Sequence, residues 1–182
     1  MYEQETDWEF ANYDMHQGHK DYLDFRRVYD SESLRGKILV TLAFIESLLA
    51  HSIRVFLVGD DPALLKKFAS RTLGSLDAKL NMSFLLGIVD RRQHEMIRKM
   101  AKLRNDFAHQ VHAKEGDLDV ENHIRDLAIM ANVSQYHGDK SDKRAEEVWG
   151  MAMIAITPYL INRPARAAER RLTYDQWEVS AP

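Results

Sequence analysis

From Leu34 onward, apolar residues recur at Leu34, Ile38, Leu42, Ile45, Leu49, Ile53 and Phe56, in steps of four or three. That rhythm keeps one face of a long helix apolar, as a core helix requires. Asp30 or Ser31 is placed to cap its start, and Gly59 to end it. Asp61-Pro62 reads as an N-cap followed by proline at the first helical position, which predicts a short helix through Ala69. Gly74-Ser75 opens another helix, carrying Leu76, Leu80, Phe84 and Ile88. Asp90-Arg91-Arg92-Gln93 has the spacing of a capping box, and the helix behind it puts Met96, Met100, Leu103 and Phe107 on one face. Lys114 to Asp117 is a loop, and Asp117 or Asp119 starts a helix to about Val133. A polar loop, Gln135 to Asp142, leads to a last long helix, bent where Pro158 removes a hydrogen bond.

No stretch alternates like a strand, and no repeat appears. The pattern predicts an all-α fold: a single-domain bundle of about six to seven helices. The first 30 residues hold Tyr2, Trp8, Phe10, Tyr13, Tyr22 and Phe25 among acidic neighbours. They read as a helical arm, 1–30, packing on the bundle or on a neighbouring subunit. The bundle spans 31–172, and 173–182 is expected to be a loose tail.

Composition narrows the function classes. A chain of 182 residues can bury roughly 70% of its unfolded surface. With no cysteine, disulfides, thiolate metal sites and cysteine nucleophiles are excluded. The acidic start, Met1-Tyr2-Glu3-Gln4-Glu5, is not a secretory signal. The apolar run from Val148 to Ile161 is too short to span a bilayer, so the expectation is a cytoplasmic protein without a membrane segment. A net charge of −3 argues against strong autonomous DNA binding, which normally needs a basic excess or face.

The chemistry concentrates in Arg104-Asn105-Asp106-Phe107-Ala108-His109. Arg104 can hold a phosphate or carboxylate in a fork, Asn105 can fix a neighbour, and His109 can carry a proton near neutral pH. With Met96, Met100, Leu103 and Phe107 facing the core, Asn105 and His109 lie nearly opposite, beside the small Ala101 and Ala108. Those alanines allow a second helix to approach. Arg104 and His109 are about 140° apart on an ideal helix. They meet on one ligand only if the helix end distorts or a second chain supplies one of them.

Gly74 to Leu80, Leu86-Gly87-Ile88-Val89, Ile97-Arg98 and Leu103 to His109 together resemble the mannitol operon repressor family. The Arg35 to Ala50 stretch, with Glu46, looks like that family's first long helix. The likeness covers roughly residues 30 to 115. It implies an all-helical, non-enzymatic regulator that damps expression of a sugar-alcohol uptake operon through a protein partner, with a homodimer plausible on the small-residue face. Nothing in the chain supplies a helix-turn-helix reader. In this reading Arg104 is an internal tie to a carboxylate, Glu46 or Asp77, and Asn105 and His109 make a polar contact between helices. The same six residues also resemble the Arg-x4-His motif of HEPN domains. That likeness implies a metal-independent ribonuclease in which Arg104 binds the scissile phosphate, His109 moves protons and Asn105 positions them.

His16-x-x-His19 and His109-x-x-His112 lack a third ligand at helical spacing, so no metal is expected. No glycine-rich phosphate loop, nucleophile elbow or dinucleotide fingerprint calls for a cofactor. Arg163, Arg166 and Arg170 share one helical face and form a candidate basic contact surface toward nucleic acid or a phosphoprotein.

Overall fold

The computed structural model describes residues 15–57, 61–109, 126–127 and 145–171. Among them the chain forms helices and no strand: α1 (Met15–Ser31), α2 (Leu34–Phe56), α3 (Pro62–Arg71), α4 (Leu76–Leu85), α5 (Arg91–His109), α6 (Ala145–Ile161) and α7 (Arg163–Glu169). The expected all-α bundle is what forms. Residues 126–127 are helical, with Leu127 fully buried and Asp126 3.6 Å from Lys99 of α5. The remainder of the helix expected to end at Val133, the loops at 114–117 and 135–142, Gly59 and the tail lie outside the described residues.

α2 is the hub, packed against α1, α4, α5, α6 and α7. Its periodic face, Leu34, Ile38, Leu42, Ile45, Leu49 and Ile53, is buried throughout. Each such side chain contributes about 1.5–3 kcal/mol by leaving water. By length and composition α2 could cross a bilayer; in the bundle, other helices cover its apolar face. The opposing walls come from Leu76 and Leu80 of α4, from Met96, Ile97, Met100 and Leu103 of α5, and from Trp149, Met153, Ile156 and Leu160 of α6. The described part of the arm, α1, packs on its own chain: Phe25 of α1 stacks on Phe44 of α2 at 4.5 Å with rings 9° apart.

Caps set the boundaries. Asp30 and Ser31 belong to the end of α1, so neither caps α2. Ser33 takes that place, its Oγ accepting from the Gly36 N–H at 3.3 Å. Asp61 accepts from the N–H groups of Ala63 and Leu64, and Ser75 from Ala78, as the sequence predicts. α3 continues to Arg71, two residues past its expected end. The capping box closes reciprocally: the Asp90 N–H donates to Gln93 Oε1 at 3.0 Å, and the Gln93 N–H to Asp90 Oδ1 at 2.8 Å. α6 runs on through Pro158 to Ile161; the break falls at Asn162, and Pro164 lies in the first turn of α7.

α4 stops before Ile88, whose N–H turns back to the Ser83 carbonyl while Gly87 N–H reaches Phe84. Two backward bonds of this kind around a left-handed residue end a helix in the Schellman manner. Gly87 supplies that residue at φ 69°, with open space around its missing Cβ. Gly87→Ala is therefore expected to cost about 1 kcal/mol through backbone strain alone. Urea denaturation checks it, and Gly87→Asn should recover part of the loss.

Where α1, α2 and α6 meet, Lys37 of α2 pairs with Glu146 of α6, and the cations of Arg26 and Lys37 lie over the Tyr29 ring at 5.3 and 5.4 Å. Burial pushes the Tyr29 phenol up to about 12, Arg26 pulling it back and Glu146 and Asp30 adding to the rise. An unfolded tyrosine ionises near 10, so from pH 10 to about 12 the unfolded state loses a proton that the folded state keeps. The stability this phenol sustains is whole below pH 10 and declines as pH climbs, by roughly 1 kcal/mol at pH 11. Denaturation at pH 9 and pH 11 should show a steeper loss for wild type than for Tyr29→Phe.

Candidate functional site

Two groups of cationic residues stand out, at opposite ends of α5. At the C-terminal end, Arg104 is half-buried and Asn105 exposed, in keeping with their placement between and opposite the core positions. Arg104 donates to its neighbour's carboxamide oxygen through Nε at 3.3 Å and Nη2 at 3.2 Å. The expected internal tie does not form. Glu46 accepts instead from Lys79 Nζ at 2.7 Å, and Asp77 from the Asn81 carboxamide at 3.0 Å. Among the described residues no carboxylate pairs with Arg104. Glu46 is a strut between α2 and α4, and Asp77 sits in the exposed first turn of α4. Charge alone makes both candidate partners for Arg104 in a sequence, whereas the claim of Lys79 on Glu46 is visible only in the fold. The backbone of α5 includes Phe107 and His109; their side chains, and His112, lie outside the described residues. Ala101 is half-buried against the core.

At the N-terminal end of α5, the structure gathers Arg163, Arg166 and Arg170 around one cleft. Its other walls are Phe56 from the end of α2, the Leu86-Gly87-Ile88 turn, and Ala167. The cleft is shallow and encloses about 30 Å³. Arg163 is half-buried, whereas Arg166 and Arg170 are exposed. Arg163 Nη2 donates to Gln93 Oε1 at 3.3 Å, and its Nε is buried without a hydrogen-bond partner. Burial, followed by the charge of Arg166, lowers the Arg163 pKa from its ordinary value; Asp90 opposes this and Arg170 adds to it. No ion pair joins any of the three to a carboxylate among the described residues. The i, i+3, i+7 spacing announced the shared face, but Gln93, Phe56 and the 86–88 turn were seen only as structural elements.

His16 and His19 are exposed on α1, and no group of three metal-ligating residues assembles among the described residues. Comparison of the chain with protein-family models, curated proteins and solved structures returned no match.

Proposed function

We propose that this protein is a non-enzymatic transcriptional regulator, similar in role to the mannitol operon repressor family. It damps expression of a sugar-alcohol uptake operon as a cytoplasmic homodimer in contact with a protein partner. The observation that carries the reading is the outward Arg104–Asn105 pair. A carboxamide holds two donors of the guanidinium and no carboxylate of the described chain neutralises it. The remaining donors are ready for a carboxylate on a partner surface, where a pre-oriented arginine fork binds best. The resemblance carried by residues 74–80, 86–89 and 103–109 supplies the operon, and the net charge of −3 favours protein over DNA as the contact.

The test is a reporter fused to a sugar-alcohol uptake operon. Wild type lowers its output, and Arg104→Ala with Asn105→Ala restores it while the purified variant melts like wild type. Repression by the double variant equal to wild type would sink the reading. The same Arg104–Asn105 pair also favours a second reading, a HEPN-type ribonuclease using Arg104, Asn105 and His109. Digestion of single-stranded RNA in EDTA decides it: cleavage by wild type that His109→Ala abolishes supports the nuclease, and intact RNA removes it.

A further inference from the structure

We propose that the cleft between α7, the end of α2 and the 86–88 turn is a binding site for a small phosphate ester, held by Arg163, Arg166 and Arg170. Three arginines line one opening in a chain whose net charge is −3, and no described carboxylate is paired with any of them. An anion at this opening would relieve the mutual repulsion of the arginines, and arginine's planar fork matches phosphate oxygens two at a time. Arg163 is the anchor. Gln93, itself 8% exposed and fixed by the α5 capping box, steadies the guanidinium at Nη2, and the buried Nε remains without a partner. Asp90, the acid whose charge raises the Arg163 pKa, is committed to the Gln93 N–H and does not pair with the guanidinium. Glu169 is not among the lining residues.

Size and lining select the ligand. The enclosed space is only about 30 Å³, so the phosphate ester sits at the mouth of the cleft with its substituent along the wall. Phe56, Leu86 and Ile88 give the carbon side of an ester an apolar wall. A single-stranded nucleic acid would need a basic track following several phosphates, with bases stacked along it. Here the arginines share one opening. The site is independent of the operon reading above.

The experiment is calorimetric titration of the full chain with phenyl phosphate, inorganic phosphate and a phosphoserine peptide, with ionic strength held constant by chloride. Saturable binding of phenyl phosphate, tighter than that of inorganic phosphate and of the peptide, is expected. Arg166→Ala and Arg170→Ala, both at exposed positions, should each weaken it about tenfold, the scale of one lost charge-assisted contact. Arg27→Ala on α1 should leave it unchanged. Absence of saturable binding, equal binding by the Arg166 and Arg170 variants, or tighter binding of inorganic phosphate or the peptide would each overturn the proposal.

Discussion

Trp149→Ala is expected to lower the unfolding free energy by about 3–5 kcal/mol, the range for emptying a large aromatic site. Trp149 is completely buried in α6, with Ala152, Met153 and Ile156 from its own helix in the same core. Removing the indole leaves a void in the core, and the loss grows with how little the surrounding side chains relax into it. Against a typical total of about 5–15 kcal/mol, that loss is a large fraction of the stability. The indole N–H is buried without a hydrogen-bond partner, an arrangement that costs part of what the ring contributes. Trp149→Phe removes that donor and keeps most of the volume, so its loss should be well under half that of alanine. Urea unfolding followed by circular dichroism measures both. An alanine variant within about 1 kcal/mol of wild type would mean that the site collapses freely.

Lys79→Ala is expected to cost about 1–3 kcal/mol, because it strands Glu46 between α2 and α4. The side chains are 14% and 29% exposed, and the bond is 2.7 Å. A pair this far from solvent loses less to screening than a surface bridge. Glu46→Ala should cost a similar amount. The double variant should cost clearly less than the sum, since the second deletion removes an acid or base already left alone. Additive losses in the double-mutant cycle would show that the two residues act independently.

The fold was legible because its rules are local. α2 announced itself by an unbroken three-and-four rhythm, and Asp61, Ser75 and the Asp90–Gln93 box by side chains that satisfy amides within three residues. The misassigned start of α2 came from competition among neighbours: Asp30, Ser31 and Ser33 are all capable caps, and the end of α1 claimed the first two. The last helix does continue past Tyr159 with Pro158 inside it, and it breaks at Asn162. At the candidate sites the limits were of longer range. Periodicity placed Arg104 and Asn105 on the correct sides of α5, and grouped Arg163, Arg166 and Arg170. It could not reveal that Lys79 claims Glu46, or that Phe56, Gln93 and the 86–88 turn meet α7, since those partners are decided by tertiary packing.

Gln93 Oε1 receives both the Asp90 amide and, from 70 residues away, the Arg163 guanidinium. One oxygen thereby locks the winding of the first turn of α5 to the posture of an arginine near the other end of the chain. Pulling Arg163 outward would draw on the same lone pairs that secure that turn. The base of the helix that presents Arg104 and Asn105 at its far end is thus wired to the cleft beside it.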